Sequence, residues 1–185
     1  MKLIDCDDFD AALSVVCGPY SGEIDARLRE RIEPSAMPQN YRELLVHHKH
    51  MTTALSAYYA HEVALRVLAH HQDGNIYSRK VLLDLKGTDR VVEFGVMELD
   101  LDVVTDQVGA EIVARDAPLG DILIRHDVLR SVDPKWFVRF GEGTPLLAHF
   151  GPGVREAFGR IGIIYCDQQP AIELLEVVAD RRERP

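Results

Sequence analysis

Three successive stretches between residues 63 and 99 alternate apolar and polar positions, and the turns between them are too short for a crossover helix. This constrains the fold more than any other feature of the chain. Val63, Leu65, Val67 and Ala69 alternate with Ala64, Arg66, Leu68 and His70, the two-residue period of a half-buried strand. Asp73-Gly74 supplies a turn. Tyr77 to Leu85 and Val91 to Leu99 form two further strands, joined by Lys86-Gly87-Thr88-Asp89, whose glycine and aspartate suit a hairpin loop. Parallel neighbours would need a connection of about a dozen residues, so these strands run antiparallel. Trp136 to Phe140 adds a fourth strand. Arg160 to Cys166 and Ala171 to Ala179, flanking Asp167-Gln168-Gln169-Pro170, close the chain as a hairpin. The expectation is an α+β fold: a six-stranded, mainly antiparallel sheet with helices covering one face.

The helices come from two places. Residues 1–60 read as an α-rich lead-in or lid and residues 61–180 as the sheet core of a single domain spanning 1–185. Ile24, Leu28 and Ile32 have helical spacing within the charged stretch Glu23 to Ile32. Tyr41, Leu44 and Leu45 predict a short helix over Gln39 to His47, and a second begins at Met51 and runs to Tyr59. Pro118 opens a short helix over Leu119 to His126, while Val103 to Val113 fits either a helix or a strand.

The 46% hydrophobic content is enough for a sizeable core, and the net charge of -9 disfavours a general attraction to nucleic-acid phosphates. The one basic run, Arg181-Arg182-Glu183-Arg184, reads as a solvated tail. Cys6, Cys17 and Cys166 are odd in number and scattered, as expected of reduced thiols in a cytoplasmic protein. No apolar stretch approaches the roughly 18 residues of a membrane helix, and the N-terminus lacks an export signal core. Neither nucleic acid nor membrane is expected as a partner, and a monomer or a homodimer is compatible with the chain.

Arg79 is the most informative position. It shares its strand phase with Tyr77, Val81, Leu83 and Leu85, whereas Ser78, Lys80 and Asp84 hold the other, so a permanent cation points to the core side. A buried guanidinium needs an internal carboxylate or an anionic ligand, and its planar fork suits a ligand carboxylate. Glu176 is the matching acid, in phase with Ile172, Leu174 and Val178; Glu173, in phase with Ala171, Leu175 and Val177, is its rival. A carboxyl at Glu176 could act as an acid, hydrogen-bond a ligand hydroxyl, or simply pair with Arg79.

Pro118-Leu119-Gly120 enters a helix, where free backbone N–H groups can receive an anion. His47, His48 and His50 lack the spacing and partners of a zinc site, so no metal is expected, though His50 could line a pocket. Phe150-Gly151-Pro152-Gly153 is a turn rather than a phosphate loop, and no serine sits in a nucleophile motif.

Four ordered patches resemble the chorismate pyruvate-lyase family: His50-Met51-Thr52, Tyr77-Ser78-Arg79-Lys80-Val81-Leu82-Leu83, Ala117-Pro118-Leu119-Gly120-Asp121-Ile122-Leu123, and Phe158-Gly159-Arg160 ahead of Pro170. The resemblance implies a six-stranded antiparallel sheet with helices enclosing a small aromatic pocket. It implies that Arg79 binds a carboxylate with backbone N–H groups near Met51 and Leu119, and that Glu176 meets an oxygen at the opposite end of the ring. It further implies elimination of pyruvate from chorismate to give a hydroxybenzoate, with no metal or organic cofactor.

Two departures stand out: Lys80 replaces the acidic neighbour of the arginine, and Glu176 lies one residue further from the hairpin proline than is usual in the family. The alternative is a non-catalytic domain that binds or senses an aromatic carboxylate, since the same fold serves as the effector module of bacterial transcription regulators. The forty residues ahead of the resemblance are too few for the winged helix-turn-helix of those regulators.

Overall fold

The computed structural model describes residue 3, residues 6–24 and residues 27–180. The basic run at residues 181–184 lies outside them, as do residues 1, 2, 4 and 5 at the N-terminus. In chain order the elements are α1 (Phe9–Cys17), β1 (Arg29–Ile32), α2 (Gln39–Leu45), α3 (Met51–Tyr59), β2 (Val63–Asp73), β3 (Ile76–Leu85), β4 (Val91–Asp100), α4 (Asp106–Ala114), α5 (Leu119–Arg125), β5 (Arg130–Phe140), β6 (Ala157–Cys166) and β7 (Gln169–Val178). Short 3-10 segments include Gly18–Glu23 and Pro145–Phe150.

The strands form one sheet in the order β1-β5-β6-β7-β4-β3-β2, with every neighbouring pair antiparallel. Seven strands stand where six are expected. The extra one is β1, which pairs with the outer edge of β5 through Arg29↔Phe140 to Ile32↔Phe137. Its stretch carries a helical spacing, but the residues from Gly18 to Glu23 form a 3-10 segment and residues 29–32 are extended. Cross-strand pairing decides the conformation of so short and polar a segment, not its own periodicity.

Turn chemistry fixes the hairpins. Gly87 turns β3 into β4 at φ +77°, and Asp167 and Gln168 take φ values of 50° and 68° in the two-residue turn between β6 and β7. Two left-handed residues are what a type I′ hairpin turn demands, and its twist matches that of the strands.

Helices cover both faces of the sheet, not one. Ala12, Leu13 and Val16 of α1 pack with Phe94, Val96, Ile161, Ile163, Leu175 and Val177, together with the Pro145–Phe150 segment. On the opposite face α2 and α3 pack Leu44, Leu45, Met51 and Leu55 over Leu83, Val92, Phe158 and Val178. Beside them α4 and α5 place Val108, Ile112, Ile122 and Leu123 on Tyr77, Met97, Leu99, Ile172 and Leu174. The ambiguous stretch from Val103 resolves as α4, capped by Thr105, whose side chain accepts from the Val108 N–H. Among the described residues no helix is long and apolar enough to cross a membrane.

Candidate functional site

The second face is interrupted where α3 and α5 meet over β3, β4 and β7. A cavity of about 520 Å³, including the space at its mouth, opens there. His50, Met51, Arg79, Leu119, Gly120 and Glu176 all line it, along with Val81, Leu83, Met97, Ile164, Leu174 and a further acid, Glu93. A cavity mostly apolar with a few convergent polar groups is the usual form of a small-molecule site.

Strand register lays out its floor in three rows. Arg79 faces Met97, which faces Leu174; Val81 faces Gly95, which faces Glu176, which faces Arg160; Leu83 faces Glu93, which faces Val178. With strands about 4.8 Å apart and a rise of about 3.4 Å per residue, the Arg79 and Glu176 backbones lie roughly 12 Å apart on this face. At the centre of the floor, neighbouring side chains close over the place that a side chain at Gly95 would take. A Cβ there would meet Val81 Cγ2 at 3.1 Å and Glu93 Oε1 at 3.4 Å.

At one end, Arg79 is 2% exposed and donates from Nη1 to the Ile112 carbonyl at a long 3.4 Å, while its Nε has no partner among the described residues. It forms no ion pair among the described residues. Burial pushes its pKa below the ordinary arginine value, Arg115 adds to this, and Tyr77 opposes it. A guanidinium nonetheless stays charged at neutral pH. The expected internal partner, Glu176, is taken: its Oε2 accepts from Arg160 Nε at 2.6 Å.

Arg160, which sequence reasoning treats only as part of a patch, is fully buried and organises this region. Its guanidinium also donates to the carbonyls of Leu45 at 3.3 Å, His47 at 2.8 Å and Lys49 at 3.0 Å. One side chain thereby ties the α2–α3 loop to the sheet and positions the start of α3.

Glu93, also absent from the sequence-based set, is 4% exposed, and its Oε2 has no hydrogen-bond partner among the described residues. Burial, reinforced by the nearby charge of Glu176 and only partly offset by Arg160, raises its pKa well above the usual carboxylate range. Its sequence signal is the one that picks out Glu176, a lone acid in phase with Gly95, Met97 and Leu99. Glu173, the rival acid, lies on the other face, where its Oε1 accepts the Leu3 N–H at 2.6 Å.

The roof is built from the first turns of α3 and α5. Neither His50 nor Pro118 caps its helix with a side-chain hydrogen bond. Gly120 permits the close approach of the two turns: a Cβ there would lie 2.7 Å from Thr52 Oγ1 and 3.0 Å from His50 Cβ. His50 is held neutral, its pKa lowered to about 4 by burial and by Arg130 and Arg160, and its Nε2 has no partner among the described residues. The three neighbouring histidines diverge, with His48 Nδ1 bonded to the Val132 carbonyl and His47 Nδ1 to Arg160. No cluster of His, Cys, Asp and Glu fit for a metal occurs among the described residues. Phe150, ahead of the glycine turn, belongs to the core on the opposite face.

No protein-family model and no curated protein matches the chain. Among solved structures it is similar to the ligand-binding domain assigned to a GntR-family transcriptional regulator of Bordetella bronchiseptica, with 14% identity over 66% of this chain and 90% of that one and a TM-score of 0.49. It is similar to the effector domain of PhnF from Mycobacterium smegmatis, with 13% identity over 72% of this chain and 90% of that one and a TM-score of 0.47. Against PhnF itself the identity is 12% over 73% of this chain and 65% of that one, with a TM-score of 0.49. The functional reading rests on the cavity and not on these likenesses.

Proposed function

We propose that this chain binds a small aromatic carboxylate in the cavity between α3, α5 and the sheet, with Arg79 as the carboxylate anchor. The observation that carries the reading is the buried guanidinium, without an anionic partner among the described residues, on the wall of a mostly apolar cavity. Such a charge is costly to maintain, and a ligand carboxylate would compensate it bidentately. The first turns at Met51 and Leu119, which have no side-chain cap, add backbone N–H donors in the roof of the same cavity, which His50 and Gly120 also line. Neither metal nor organic cofactor enters this reading.

A second reading goes further, to a chorismate pyruvate-lyase reaction giving pyruvate and a hydroxybenzoate. The acids at the end away from Arg79 favour it, because the elimination needs proton transfer near the ether oxygen, and a carboxyl kept protonated by its surroundings can supply it. Incubation of the purified chain with chorismate, following pyruvate and the aromatic product, separates the two. Binding without turnover supports the non-catalytic binding or sensing role. Pyruvate release that Arg79→Ala abolishes with the fold retained supports the lyase. Failure of any aromatic carboxylate to shift the melting temperature sinks both.

A further inference from the structure

A second depression lies where the α2–α3 loop and the first turn of α3 meet the end of α5 and the start of β5. It is an open groove of about 930 Å³, solvent at its mouth included, and has only His50 in common with the cavity. Ile124 and Leu129, 42% and 61% exposed, line it beside Val128 and Val132. Large apolar side chains scattered singly over a surface need no explanation, but these are two of the four that the described residues expose, gathered in one groove. Nor does Leu129 owe its exposure to a slack backbone. Helix α5 ends in a Schellman motif, with the Val128 N–H on the Leu123 carbonyl and the Asp127 N–H on the Ile124 carbonyl, both at 3.1 Å. Asp127 takes the left-handed conformation, φ +51°, that glycine usually supplies there. The Leu129 carbonyl in turn accepts the Asp167 N–H at 2.7 Å. A surface fixed before binding has little ordering to undergo when a partner arrives.

The groove also carries charge of one predominant sign. Lys49 and Arg130 line it with His48, and neither cation forms an ion pair among the described residues, although Arg130 donates from Nη1 to the Val128 carbonyl at 3.0 Å. Asp127 is the one carboxylate in the lining. Elsewhere the surface cations Arg66, Lys86 and Arg139 each have a carboxylate partner. We infer that the groove is a docking site for a segment of a protein partner that combines aliphatic and acidic side chains, the aliphatic ones covering Ile124, Val128 and Leu129 and the carboxylates meeting Lys49 and Arg130. Charge complementarity selects this occupant. A basic segment would meet two unpaired cations. A nucleic acid would leave the apolar side chains uncovered and face a chain of net charge -9. A second copy of the chain, docked by the same patch across a two-fold axis, would set Lys49 and Arg130 against their own equivalents.

Fluorescence anisotropy on the full chain tests this with a labelled helix-forming peptide of about ten residues that places leucine on one face and glutamate along its edges. Two control versions replace glutamate with lysine or leucine with serine. The wild type should bind the first peptide about ten-fold more tightly than either control. Leu129→Ser and Lys49→Glu, both at exposed positions, should keep the wild-type melting temperature and weaken binding by about ten-fold and about five-fold respectively. Arg79→Met, which alters the cavity and not the groove, should bind the peptide as the wild type does. The inference is overturned if the acidic peptide does not bind, if either control binds as well as it does, or if Leu129→Ser and Lys49→Glu keep wild-type affinity. Loss of binding in a folded Arg79→Met would seat the peptide in the cavity and overturn it as well.

Discussion

At the scale of single residues, the site is a set of charged groups whose solvation is replaced by too few partners. Arg79 is the clearest case, buried with no ion pair among the described residues, a long hydrogen bond to a carbonyl and the Tyr77 side chain nearby. Replacing such a charge with an apolar side chain of similar length removes a desolvation cost, so Arg79→Met should stabilise the ligand-free chain by about 2 kcal/mol, a rise of roughly 4–8 °C in thermal melting. A fall instead would mean that the guanidinium is satisfied from within. Glu93 makes an opposite prediction in pH. Its folded pKa is raised by burial and by Glu176, against the relief offered by Arg160, so its contribution is fully present below the unfolded carboxylate pKa and is lost as pH rises above it. Glu93→Gln does not titrate there, and its melting temperature should gain on the wild type progressively as pH rises from 4.5 towards 8. A pH-independent difference would remove Glu93 from the account.

At the scale of elements, two contacts set the cavity. Arg160 joins β6 to the α2–α3 loop, and Arg160→Met would leave Glu176 and three carbonyls without their donor, costing about 3–5 kcal/mol by chemical denaturation. Adding Glu176→Leu should recover part of that loss, because the double variant no longer buries an unpaired charge. Gly120→Ala should cost about 1–3 kcal/mol, since its methyl collides with Thr52 and His50. The central strands and α3 are legible in sequence because alternation and helical spacing are local properties. So are Arg79 and Glu176, each a lone charge on an apolar phase. Glu93 obeys the same rule and the sequence reading passes over it, because an acid between Val92 and Phe94 reads as part of an almost continuous apolar run. Helix α1 also has a signal, with Asp8 accepting the Ala11 N–H ahead of Leu13 and Val16, whereas β1 has none: Arg29–Ile32 takes its conformation from β5. The pairing of Glu176 with Arg160 in place of Arg79 depends on which strand lies on each side of β7, and that order is set by long-range contacts.

At the scale of the whole molecule, the sheet separates two different cores. One face, under α1, is closed by apolar packing and the Glu173–Leu3 contact; the other is open beneath α3 and α5. A ligand in that opening would touch two helices and three strands together, so saturation at about 100 times Kd should stabilise the chain by about 2.7 kcal/mol and raise its unfolding transition. The most direct test of the central claim is calorimetric titration of 4-hydroxybenzoate into the wild type and Arg79→Met. One-to-one binding by the wild type and none by a folded Arg79→Met is the predicted result. Binding of equal affinity to both would show that the buried guanidinium is not a carboxylate anchor.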